Sequence, residues 1–131
     1  MAAALPTPPQ EAVFYQDDRL YACLASHPLS DGHCLVVWKA PAADLNMLAM
    51  EDYEYLMDKV DEVREALLKT LGVEKVYLLY MEEAHQVHWH LVPRFEEKGM
   101  TVLQHQPSEL TDFSLAEQLG AAMEAPSSTD S

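Results

Sequence analysis

Gln86-Val87-His88-Trp89-His90-Leu91-Val92-Pro93-Arg94 is the stretch on which the reading of this chain turns. Along an extended strand, successive side chains alternate between the two faces. Val87, Trp89, Leu91 and Pro93 then share one face, apolar throughout. Gln86, His88, His90, Val92 and Arg94 share the other. Same-face neighbours lie about 6.6 Å apart, twice the rise per residue, so one phosphate group could bridge the two imidazoles. Three readings of this face stand side by side. It is an exposed sheet surface; or a metal site in which His88 and His90 are joined by His33 or a distant carboxylate; or a site of nucleophilic catalysis by an imidazole, whose reference pKa of about 6.5 leaves much of it neutral near pH 7.

Outward from this strand the periodicity is clear. Val76–Met81 is an unbroken apolar run, which predicts a central strand covered on both faces, and Glu82–His85 is a polar turn into the histidine segment. Near the start, Ala12–Tyr15 and Arg19–Ala25 flank a polar turn at Gln16–Asp18 and read as a hairpin. The loop His27–His33 feeds a third run, Cys34–Lys39, giving an antiparallel meander. A helical turn is expected at Asp44–Leu48. From Glu51 to Leu71, apolar residues recur at steps of mostly three and four (Tyr53, Leu56, Met57, Val60, Val63, Leu67, Leu68, Leu71), which predicts a long helix ended by Gly72. Its opposite face carries Glu51, Asp52, Glu54, Asp58, Asp61, Glu62 and Glu65, either solvated or a docking surface. The alternation Met100, Val102 within Gly99–His105 suggests a further edge strand. Ser114-Leu115-Ala116-Glu117 has the capping-box pattern and predicts a short C-terminal helix through Met123.

The 131 residues include 22 acidic and 8 basic side chains, a formal charge of -14, and 49% are apolar. That length and apolar fraction predict one domain with a core of its own, at residues 11–123, between flexible flanks at 1–10 and 124–131. The negative field disfavours nucleic-acid polymers and anionic lipid surfaces, so any phosphorylated ligand must be held by local donors. No apolar run approaches the roughly 20 residues of a membrane span. The start, interrupted by Pro6, Pro8 and Pro9, does not read as a signal peptide. Cys23 and Cys34, without C-x-x-C spacing, read as reduced, packed thiols of a cytoplasmic protein.

With these residues in view, the chain resembles the histidine-triad (HIT) superfamily, whose signature is H-φ-H-φ-H-φ-φ with φ apolar. Gln86–Val92 matches it with Gln86 in the place of the first histidine, and Pro93-Arg94 continues it. Pro28-Leu29-Ser30-Asp31-Gly32-His33-Cys34-Leu35-Val36-Val37 is similar to the family's P-x-x-P-G-H-x-L-V-φ segment, with Asp31 in the place of the second proline. The resemblance covers about Val13 to Phe95.

It implies an α+β fold with an antiparallel sheet of about five strands, one long helix and a short C-terminal one. It further implies a nucleotidyl hydrolase or transferase acting on a dinucleoside polyphosphate or related nucleotide conjugate. His88 would be the nucleophile, His90 would steady the transition state, and Gln86 and His33 would line the phosphate pocket. No cofactor is required, and a homodimer is expected. Three departures accompany it. Gln86 can donate through its amide but cannot carry a proton, the Glu82–His85 turn is short, and Ala25 stands where one branch has a ribose-contacting asparagine. The alternative implied by these departures is a nucleotide-binding or protein-interaction module of the same fold with weak turnover.

Overall fold

The computed structural model describes residues 7–42, 45–80, 86–96, 99–106 and 109–124. Five strands form a single antiparallel sheet: β1 (Val13–Gln16), β2 (Leu20–Leu24), β3 (Cys34–Trp38), β4 (Lys75–Tyr80) and β5 (His88–Arg94), in the order β1-β2-β3-β5-β4. Two helices complete an α+β architecture, α1 (Met50–Leu71) and α2 (Ser114–Glu124). The early meander is as the sequence indicates, and β5 enters between β3 and β4.

The period of α1 places Leu56, Val60, Val63 and Leu67 fully inside, in one core cluster with Leu20, Val36, Trp38, Val87 and Leu91. Burying each such aliphatic side chain stabilises the fold by roughly 1.5–3 kcal/mol. Gly72 ends the helix in the left-handed region (φ 68°), with its N–H on Leu68 O at 3.0 Å. Helix α2 packs on α1 and β1, with Leu119 buried.

Three expectations are corrected. The run from Val76 forms an edge strand, not a central one: β5 takes the inner position, only Val76 of β4 is buried, and Leu78 remains 39% exposed. An apolar run measures the hydrophobicity of both faces and says nothing about pairing on both sides. Gly99–Gln104 is a short 3₁₀ helix rather than a strand. Val102 is buried, and His105 N–H closes the turn on Val102 O. The N–H of Ser114 is capped by Asp112 Oδ1 at 2.9 Å, so the helix begins one residue pair after its true cap and Ser114 lies inside it. Met81, the Glu82–His85 turn, Asp44 and both chain ends (1–6 and 125–131) lie outside the described residues. No helix among the described residues is long and apolar enough to cross a membrane.

The β1–β2 turn is pinned to α1 by one carboxylate. Asp17 accepts the hydroxyls of Tyr15 (2.7 Å) and Tyr55 and the backbone N–H groups of Arg19 (2.8 Å) and Leu20 (3.0 Å). Lys59 Nζ lies 4.6 Å above the Tyr15 ring and Arg19 lies 4.5 Å above that of Tyr55. Burial alone would raise the Asp17 pKa, but the two hydroxyls and two N–H groups hold it down at about 2.

Candidate active site

Because β5 pairs with β3 in the register Val37↔His88 and Leu35↔His90, the two histidines project from the sheet face opposite the one carrying Val36, Trp89 and Leu91 into the core. His33, immediately before β3, shares that face and reaches His90. The three rings form a bent row, with centroid separations of 5.3 Å from His33 to His90 and 5.2 Å from His90 to His88. His33 and His88 are buried, at 5% and 4% exposure.

Hydrogen bonding fixes which nitrogen of each neutral ring carries the proton. Leu29 N–H donates to His33 Nδ1 at 3.0 Å, so that nitrogen is an acceptor and the proton sits on Nε2. Nε2 of His33 faces His90 Nδ1 at 3.0 Å and donates to it, which puts the proton of His90 on its own Nε2. The neutral form of His88 has the opposite tautomer: its Nδ1 lies 2.9 Å from the Gln86 carbonyl oxygen, to which it donates, so the lone pair of that form is on Nε2. The row therefore contains one N–H donor and one nucleophilic nitrogen on adjacent rings. Burial, and then the neighbouring His90, lowers the His33 pKa to about 4; burial and His88 lower that of His90 to about 4. Both rings are neutral at pH 7.

The loop before β3 positions His33. Gly32 adopts φ 88°, and a Cβ there would come within 2.7 Å of Leu71 Cδ1 and 3.3 Å of Pro93 Cγ. Only glycine provides both that dihedral and that approach. Ser30 Oγ donates to Pro93 O at 2.7 Å, and Ala25 N–H closes the base of the loop on His33 O at 2.8 Å.

Gln86 is placed at the entrance to β5. Its amide Nε2 donates to Trp38 O (3.2 Å) and Lys39 O (3.4 Å), so it joins the strand ends while its main-chain carbonyl orients His88. Arg94 sits at the far end of β5, opposite Lys75, about 13 Å along the strand from His90. His85 lies outside the described residues, and His27 is an exposed neighbour of Ser26. Among the described residues, no three His, Cys, Asp or Glu side chains are grouped to hold a metal ion. His33 and His90 instead face each other nitrogen to nitrogen.

A cavity of about 290 Å³ is lined by Tyr21, Cys23, Leu24, Leu35, Leu110 and Phe113 among others. Leu35 is the cross-strand neighbour of His90, and Cys23 that of Leu35. Sequence reasoning missed this wall. Its signal was the pair of large apolar residues, Leu110 and Phe113, in the otherwise polar stretch before α2. Cys23 and Cys34 are both free and buried, and burial pushes the Cys23 thiol up to about 12.

Comparison with known proteins gives the family and the fold. The HIT domain family matches residues 8–97, and the chain belongs to that family. An uncharacterised HIT-like protein of Mesomycoplasma hyorhinis is 32% identical over 91 residues, covering 65% of this chain and 82% of that protein. A HIT-like protein of Bartonella henselae shares the fold with a TM-score of 0.71 at 21% identity, over 85% of this chain and 86% of its own. So does the diadenosine triphosphate hydrolase of Plasmodium falciparum, with a TM-score of 0.65 at 14% identity, over 93% and 80% of the two chains.

Proposed function

We propose that this protein is a nucleotidyl hydrolase or transferase whose nucleophile is His88 Nε2. The observation that carries the reading is the opposed tautomers of the adjacent rings: His88 offers a lone pair while His90 offers an N–H. A nucleotide α-phosphate between them would be attacked by one ring and held through a non-bridging oxygen by the other. The Nε2–phosphorus bond forms as the bond from phosphorus to the leaving oxygen breaks. The imidazole keeps its Nδ1 proton, and the charge it acquires faces the Gln86 carbonyl. Water then attacks phosphorus, the Nε2–phosphorus bond breaks, and nucleoside monophosphate leaves with a proton released to solvent.

The cavity at Leu35 and Cys23 is the place for the nucleoside, since Leu35 in its wall is the cross-strand neighbour of His90 and its walls are mostly apolar. Dinucleoside polyphosphates and related nucleotide conjugates are the substrate class. The likeness to a diadenosine triphosphate hydrolase supports this, as does the match of Gln86–Val92 to the triad signature with Gln86 in its first position. Gln86 then acts through its main chain, whereas the sequence alone suggests an amide contact with phosphate. The steps draw on this chain's own groups and on water. A second copy is expected to pair through α1 and the outer edge of β4, where Leu78 is exposed. The free thiols suit a cytoplasmic setting.

The experiment is a panel of dinucleoside polyphosphates, nucleotide sugars and nucleoside phosphoramidates, assayed with wild type and His88→Asn. Release of nucleoside monophosphate by wild type alone, with a nucleotide trapped on His88, is the expected result. Equal rates in both proteins would overturn it. One observation favours a second reading as a nucleotide-binding module: the Gln86 amide is engaged by Trp38 and Lys39 carbonyls, which leaves fewer donors for phosphate. That reading predicts measurable nucleotide affinity without turnover.

A further inference from the structure

The polarity of the histidine row depends on a residue outside the triad segment. A chain of two neutral imidazoles has two self-consistent proton arrangements. In the one observed, Leu29 N–H meets His33 Nδ1, and His90 ends the chain with an N–H. In the reverse arrangement His33 carries its proton on Nδ1, His90 donates back to His33, and His90 ends the chain with a lone pair that repels an anionic oxygen. Among the described residues Leu29 N–H selects between them, because it cannot face a protonated Nδ1.

Leu29 is itself held from the other side. His105 Nδ1 lies 2.7 Å from Leu29 O and donates to it, 76 residues away in the chain. His105 N–H is on Val102 O, and Val102 is buried, so the histidine stands on an anchored turn. A few residues later Leu110 N–H donates to Ser26 O at 2.7 Å. The segment after β5 thus straps the loop 25–33 at two points, one by backbone and one by the His105 side chain.

The geometry points to His105 as a positioning residue: by clamping Leu29 it holds the N–H that sets the tautomers of His33 and His90. This rests on the reading of His88 and His90 above, because the selected tautomer matters only if His90 must donate to phosphate. His105→Ala removes the clamp. His105→Asn keeps a donor at nearly the same distance along the side chain, and His105→Gln places it one atom farther.

The test is long-range proton–nitrogen NMR of the full chain labelled at histidine, with hydrogen exchange at the Leu29 amide and steady-state kinetics on the best substrate of the panel. Wild type is expected to show His33 and His90 protonated at Nε2. His105→Ala should show mixed tautomers at both rings and faster exchange at Leu29. It should also lower kcat about tenfold, the scale of one hydrogen bond, with KM changed less. His105→Asn should restore all three. Wild-type tautomers and wild-type Leu29 exchange in His105→Ala would overturn the inference. If that variant does not fold, the Asn and Gln variants decide. The inference requires Asn to retain the tautomers and Gln to lose them, and identical behaviour of the two overturns it. Absence of turnover in wild type would count against the His88 reading, while the NMR result would still decide the clamp.

Discussion

Two polar clusters of this molecule, the Asp17 turn and the histidine row, are built from similarly aromatic and polar material and differ in what they leave unsatisfied. Asp17 collects four donors, and its charge is flanked by Lys59 and Arg19 over tyrosine rings, so every strong group there has its partner inside the protein. The histidine row is a directed chain of neutral rings, fed with one N–H at Leu29 and ending in a donor at His90, with the His88 lone pair beside it. A closed cluster ties elements together. An open, directed one is arranged to meet something else.

The contrast can be broken most sharply at His88. His88→Asn is expected to lower kcat on the order of 10⁴-fold or more, as loss of a nucleophile does, without changing the urea midpoint by more than a small amount. His90→Asn should lower kcat by about 10²-fold, the scale for one transition-state donor, in the same assay. At the other cluster, Asp17→Asn is expected to leave kcat unchanged and to destabilise the fold by about 1–2 kcal/mol, read from urea unfolding. Any loss of kcat in the folded Asp17→Asn protein would erase the distinction.

The two clusters should also separate in pH. His33 and His90 have folded-state pKa values near 4 against an ordinary value of 6.5. Between those limits the unfolded chain binds protons that the folded one refuses. Their contribution to stability is present above pH 6.5 and is lost as pH falls toward 4, by at most about 1.4 kcal/mol per pH unit for each group. Asp17, depressed from 3.8 to about 2, contributes above 3.8 and loses its contribution only as pH falls toward 2. Urea melts of wild type and His33→Gln at pH 7, 5 and 3.5 check this, and the variant should show a shallower slope from 7 to 5. The smallest effect is expected for Tyr15→Phe, below about 1 kcal/mol, since Tyr55 donates to the same Asp17 oxygen.

What was legible in the sequence follows the range of the forces involved. The α1 period, the Gly72 stop and the alternation of β5 are local, and they predict the elements and which face of β5 holds His88 and His90. The match of residues 28–37 also brought His33 into the same site. The position of β4 at the sheet edge depends on which strand outcompetes it for β3, a long-range matter that the run Val76–Tyr80 does not encode. The tautomers were hidden for a different reason. They are set by backbone groups at Leu29 and Gln86, and a backbone N–H has no letter of its own. The cavity wall at Leu110 and Phe113 required knowing that the segment before α2 folds back over Ser26.

Gly32 carries a consequence for the length of α1. The glycine sits against the Cδ1 atom of Leu71, the last residue of that helix, so the loop bearing His33 is cast against the final helical turn. One residue added to or removed from α1 would swing Leu71 by about 100° around the helix axis and remove the mould. The twenty-two residues of that helix therefore act as a ruler. An insertion between Leu67 and Leu71 is expected to be felt at the imidazoles while Leu56, Val60, Val63 and Leu67 keep their places in the core.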